Sequence, residues 1–187
     1  MLKERFGLFI GDGSLRASVM GINDGLVSNF SLVMGVAGGT TDTSFVMLAG
    51  VAGLLAGAFS MAAGEYVSMK SQKDAYEHLI GLTADQLRNN PDEKGRELMR
   101  IYQSKGFQYL DALRISKHII SRPDVALETI VREQLGLDPK QLGSPWGASI
   151  SSFVSFVSGA IVPILPYLLT KEESAFGLST VLSGGAL

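Results

Sequence analysis

The chain of 187 residues contains no cysteine. That excludes a disulfide framework and any thiolate zinc site. Charge is also scarce: 18% of residues are charged, against about 25% in an ordinary soluble domain. The formal net charge of −2 leaves no basic face for nucleic acid. There are two histidines, His78 and His118, and neither lies in an HxxxH or HExxH context. No nucleophile–base pair stands out, so an enzyme is not expected. The glycine clusters do not follow a strand pattern, which removes phosphate-loop readings. The N-terminus lacks the basic, apolar and small-residue order of a signal peptide. What the chain has in quantity is apolar surface, with 46% hydrophobic residues and a mean hydropathy of +0.24. That is too much for a disordered chain.

The charges are unevenly spread. No Lys or Arg occurs between Arg16 and Lys70, and no charge of either sign between Lys140 and Lys171. The segment 68–145 holds 12 of the 16 basic residues and 11 of the 18 acids. Three apolar spans frame it: about Ala17 to Gly38, Ser44 to Val67, and Trp146 to Leu169. Each is long enough to cross ~30 Å of hydrocarbon as a helix, and backbone groups in lipid must be paired within the segment. The expected fold is therefore all-α: a polytopic helical membrane protein with a helical insert between the second and third spans. Its parts are an N-terminal segment (1–15), a transmembrane hairpin (16–67), the insert (68–145), and a third span followed by an incomplete fourth (146–187). The short loop Gly39-Thr40-Thr41-Asp42-Thr43 makes the first two spans antiparallel. It carries no basic residue, whereas Lys70 and Lys73 follow the second span, so the positive-inside rule puts the insert and the N-terminus in the cytoplasm. Within the insert the second span runs on to about Gly81. Thr83-Ala84-Asp85-Gln86 fits a capping box for a new helix. Pro91 and Pro123 fit first helical positions, and Gly106 and Gly136 fit helix ends.

Asp24 is the most informative residue, a carboxylate about a third of the way along an uncharged span. At the bilayer centre such a group costs roughly 2.5–3.5 kcal/mol, and intramembrane acids mark ion or proton routes. The other reading makes it an interfacial cap beside Asn23 and Gly25. Met20, Ser28 and Ser31 share its stripe at helical spacing. The serines either line a cation path or bond the backbone four residues back. In the second span Gly53 and Gly57 form a GxxxG pair, and Gly50, Ser60 and Gly64 extend a thin face for close helix packing. Met61 and Glu65 lie one turn apart, a soft sulfur beside a hard carboxylate, a set that suits Fe(II) and admits Mn(II). Met61 read alone is packing filler; Glu65 read alone is an interfacial acid reaching for water. In the insert, the acids Asp74, Glu77, Asp85, Asp92, Glu93, Glu97, Glu128 and Glu133 are candidates to gather a divalent cation from facing short helices, or are solvated acids among lysines and arginines.

Three motifs carry a family resemblance: Gly21-Ile22-Asn23-Asp24-Gly25-Leu26-Val27-Ser28, Gly35-Val36-Ala37-Gly38-Gly39, and Ala56-Gly57-Ala58-Phe59-Ser60-Met61-Ala62-Ala63-Gly64-Glu65-Tyr66-Val67-Ser68. With Gly143-Ser144-Pro145-Trp146 and Gly159-Ala160-Ile161-Val162-Pro163 they make the chain from Arg16 onward resemble the vacuolar iron transporter family. The resemblance implies a homodimer of five-span subunits in a cell inner membrane or a vacuolar-type membrane. It implies movement of Fe(II) or Mn(II) out of the cytosol against protons, for metal homeostasis and detoxification. No prosthetic group or nucleic acid is implied; the partners are the ion, the lipid and the twin subunit. Asp24 and Met61 match the family's intramembrane aspartate and methionine, and Glu65 and Ser28 join them as candidate path residues. Some members have a glutamate where this chain has Gly53, which leaves Glu65 as the nearest coupling acid. Members with an acid-rich cytoplasmic site have carboxylates at Thr83, Gln86, Lys94 and Gln134, and some members have paired methionines at Ile130 and Val131; Glu97 does match, so the resemblance implies a capture site weakened or rebuilt from Asp85, Glu93, Glu97 and Glu133. Against the family pattern the sequence is expected to be C-terminally truncated, with a fourth span cut short and a fifth lacking. The alternative expectation is a membrane metal sensor or scaffold without flux of its own.

Overall fold

The computed structural model describes residues 14–139, 142–169 and 173–186. The expected N-terminal segment, through Gly13, lies outside the described residues. Every regular element among the described residues is helical: α1 (Ser14–Ala37), α2 (Thr43–Asn89), α3 (Pro91–Ser104), α4 (Tyr109–Ile120), α5 (Pro123–Ile130), a π turn (Val131–Leu135), α6 (Pro145–Ala160), α7 (Leu165–Leu169) and α8 (Glu173–Ala186). The chain divides into two compact units. One combines the described residues up to Met69 with those from Ser144 onward, and the other is Lys70–Gly143.

In the first unit, two helices are long and apolar enough to cross a membrane: Ser18–Ala37 within α1, and α2. Only 28% and 22% of their most apolar windows are buried. A core helix of a soluble protein would be mostly buried. Here Val19, Phe45, Leu48, Phe59, Ile150 and Val154 are all exposed, as lipid-facing side chains are. The protein is an all-helical integral membrane protein. The buried part of this unit is thin: one cluster of Val33, Val46, Ile164, Tyr167 and Ala175, and another of Ala58, Phe156 and Ala160.

Local chemistry sets the helix ends. Asp42 caps α2, its Oδ1 accepting the Ser44 N–H at 2.9 Å. Ser144 caps α6, its Oγ accepting the Gly147 N–H at 3.1 Å, with Pro145 in the first position. In the second unit Pro91 and Pro123 open α3 and α5, and Gly106 and Gly136 take the left-handed conformation at φ +95° and +66°. Two expectations fail. The capping box at Thr83 is not a helix start, because α2 runs unbroken to Asn89; the Thr83 hydroxyl donates to the Leu79 carbonyl one turn back at 2.8 Å. With no Gly or Pro after Gly81 until Pro91, nothing stops the helix earlier. The third span is not one helix. It breaks between α6 and α7, because Pro163 lacks an N–H and its ring would meet the carbonyl of Gly159.

Candidate functional site

On the face of α1 that carries Gly21, Gly25 and Asn29 the structure builds a tight three-helix contact. Three glycines remove the side chains that would hold α1 and α6 apart. A Cβ on Gly25 would lie 2.2 Å from the Phe156 carbonyl oxygen, and one on Gly159 would lie 1.9 Å from the Ile22 carbonyl oxygen. A Cβ on Gly21 would reach the Ser155 Cβ at 3.0 Å. Polar seams run along the same interface. Ser18 and Ser151 share a hydroxyl hydrogen bond at 3.1 Å, and the Asn29 amide donates to the Ala160 carbonyl at 2.6 Å. α2 lies against both helices. Gly50 faces Val33 and Ile164, Gly53 faces Leu32 and Asn29, and Gly57 faces the Phe156 ring. The Ser149 hydroxyl donates to the Ala62 carbonyl at 2.8 Å. The thin face read from the second span therefore packs within the chain at Gly50, Gly53 and Gly57. Gly64 does not: nothing lies within 4 Å of the position its Cβ would take.

The break in the third span has a chemical consequence. The Ile164 and Leu165 N–H groups both bond the Ile161 carbonyl, and the Tyr167 N–H bonds that of Ile164. The carbonyls of Ala160 and Pro163 are thereby left without those helical donors. Side chains from other helices supply them: Asn29 of α1 reaches Ala160 at 2.6 Å, and Ser179 of α8 reaches Pro163 at 2.9 Å. The Asn29 Oδ1 and the Ser152 hydroxyl are buried without a hydrogen-bond partner.

The candidate path residues occupy different surroundings. Asp24 is exposed on α1 and has no salt bridge among the described residues. Met61 is half-buried beside Ala58 and Phe156, and Glu65 is half-buried one turn on. The Ser28 and Ser31 hydroxyls donate to the Asp24 and Val27 backbone carbonyls, so both serines take the back-bonding option. The Tyr66 and Trp146 rings pack tilted at 56° with their centroids 4.9 Å apart.

The insert acids do not gather within the chain. Among the described residues no three His, Cys, Asp or Glu side chains are grouped to hold an ion. Glu97 is committed to Lys94 at 2.8 Å, and Glu133 to Lys105, while Asp85 and Glu93 are exposed. Glu128 and Asp138 both pair with Arg132, at 3.1 and 2.8 Å. Basic side chains already hold most of the positions a cation would take. Hydrogen bonds from Lys94 and then Gln134 hold the Glu97 carboxyl below its ordinary range.

The model of the VIT family matches residues 15–187. The chain belongs to that family. Among the relatives of this VIT chain is a vacuolar iron transporter of Acanthamoeba castellanii, 32% identical over 91% of this chain and 63% of the relative. Vacuolar iron transporter 1 of Oryza sativa is 29% identical over 89% of this chain and 66% of the relative. Vacuolar iron transporter 1 of Arabidopsis thaliana is 27% identical over 83% and 62%. The VIT chain thus spans a little under two thirds of the length of these relatives. Reading the sequence missed Gly21, Gly25, Gly159 and Asn29. The first two have the same four-residue spacing as the pair in the second span, so that signal was present.

Proposed function

We propose that the chain carries divalent iron, manganese or both out of the cytosol, coupled to protons, as one subunit of a homodimer. The insert faces the cytoplasm in this reading. The single observation that carries it is Asp24: an ionisable side chain left outward-facing in a membrane-length helix. Turned to lipid, it costs about 2.5–3.5 kcal/mol. Covered by the same face of a second copy, with a cation between, the carboxylate has both shielding and purpose. Met61 supplies a soft ligand from the neighbouring helix, and Glu65 an acid one turn nearer the insert. Ser28 contributes an oxygen already turned along the Asp24 stripe. The names of the relatives support iron as cargo.

The test is flux into vesicles holding a dye quenched by Fe(II) or Mn(II). The parent chain should quench the dye, faster with a proton gradient of the coupling sign, and Asp24→Asn should reduce the rate to that of empty vesicles. Unchanged flux in Asp24→Asn would reject the assignment of the path. Metal binding by the parent with no flux would favour a sensor or scaffold.

A further inference from the structure

The insert contains a buried cation of its own. Lys94 is 8% exposed, and lysine is among the residues least often buried without a partner. Its Nζ donates to the Glu97 Oε2 at 2.8 Å and to the Gln134 Oε1, on the π turn, at 3.5 Å. The Gln134 Nε2 donates to the same Glu97 oxygen at 2.7 Å. The three groups close a ring. The amide turns its oxygen to the ammonium and its NH2 to the carboxylate, so each polar end meets its complement. Two elements 37 residues apart in sequence are joined by it.

A bound divalent ion does the same work, drawing a carboxylate and a neutral oxygen from separate elements onto one positive centre. Here the centre is covalently attached. An incoming metal would have to expel the ammonium and would find one carboxylate, since Asp85 and Glu93 are exposed elsewhere and Glu133 is engaged with Lys105. We infer that Lys94 is a tethered cation that joins α3 to the π turn in place of a divalent ion, and that the insert keeps its fold without metal. This goes beyond the transport reading and does not depend on it.

The experiment uses the full chain in detergent, in an Asp24→Asn background so that the membrane carboxylate does not report. Mn2+ is the probe, followed by loss of its free-ion electron paramagnetic resonance signal and by thermal melting in circular dichroism. With Lys94 present, melting should be the same in excess Mn2+ and in EDTA. Lys94→Met should lower the insert's transition by about 5 °C, and Mn2+ should not restore it. Lys94→Glu should be loosened in EDTA and recovered by Mn2+, with one more bound ion per chain, because two carboxylates and the Gln134 oxygen then face one point. A Mn2+-dependent rise in melting with Lys94 intact, removed by Glu97→Gln, overturns the inference. So does a Lys94→Met chain that melts like its parent. If Lys94→Met does not fold, the Lys94→Glu chain decides: recovery in Mn2+ supports the tethered cation, and no recovery rejects it.

Discussion

The α1–α6 crossing admits no side chain, and Gly159→Ala measures how much depends on that. The added methyl would begin 1.9 Å from the Ile22 carbonyl oxygen, 2.8 Å from its carbonyl carbon and 2.9 Å from the Leu26 nitrogen. All three are backbone atoms of a helix, so no rotamer change relieves the contact. Restoring an ordinary separation of about 3.4 Å requires the helices to part by more than an ångström. Overpacking of this kind costs about 1–3 kcal/mol. Parting also stretches the 2.6 Å bond from Asn29 to Ala160 and the 3.1 Å bond between Ser18 and Ser151. Interhelical bonds in membranes are worth about 0.6 kcal/mol each on average. The expected loss is therefore near the upper end, about 3 kcal/mol, and Gly25→Ala should behave alike. Gly64→Ala is the control, since its methyl enters open space and alanine is the better helix former. Unfolding by titration with a denaturing detergent, followed by circular dichroism, reads all three. A Gly159→Ala chain within about 0.5 kcal/mol of the parent would refute the close crossing.

Asn29→Ala removes the donor to a carbonyl buried at the break. It should cost about 1–2 kcal/mol in the same titration, with Ser179→Ala losing a similar amount at Pro163; no loss in either variant would mean that water or lipid headgroups satisfy these carbonyls. The Glu97 carboxyl is held below its ordinary value by hydrogen bonds from Lys94 and then Gln134. A lowered folded pKa contributes stability that is present above the unfolded value and is lost as pH falls through the folded one. Melting of the insert should therefore be flat above about pH 5 and fall below it. Glu97→Gln should flatten that acid limb, and an unchanged limb would assign the acid sensitivity to other carboxyls.

The membrane character was legible because it is a bulk property: long uncharged runs leave few alternatives to helices in lipid. The helix punctuation of the insert was legible wherever Pro or Gly set it, at Pro91, Gly106, Pro123 and Gly136. It failed at Thr83, where a hydroxyl can bond either forward as a cap or back to the Leu79 carbonyl, and the pattern does not say which. The break at Pro163 was visible as a residue type, but hydropathy averages over it. The partners of a freed carbonyl were not legible at all. Asn29 lies 131 residues from Ala160, and only tertiary packing brings them together. Among the insert acids, the sequence places a lysine three residues before Glu97, yet whether that lysine competes with a metal for the carboxylate depends on its burial.

The polar groups buried in the membrane unit are neutral ones. Among them Asn29, Ser149 and Ser179 donate to backbone carbonyls of neighbouring segments, whereas exposed serines such as Ser28 and Ser31 bond their own helix. The carboxylate of α1, Asp24, is turned outward. Had its task been to hold the chain's own helices together, an inward position opposite a donor would serve it better, because an amide does that work without the cost of burying a charge. Among the described residues no basic side chain pairs with that carboxylate, so the bonds between the helices of this unit are made by the neutral groups and not by Asp24.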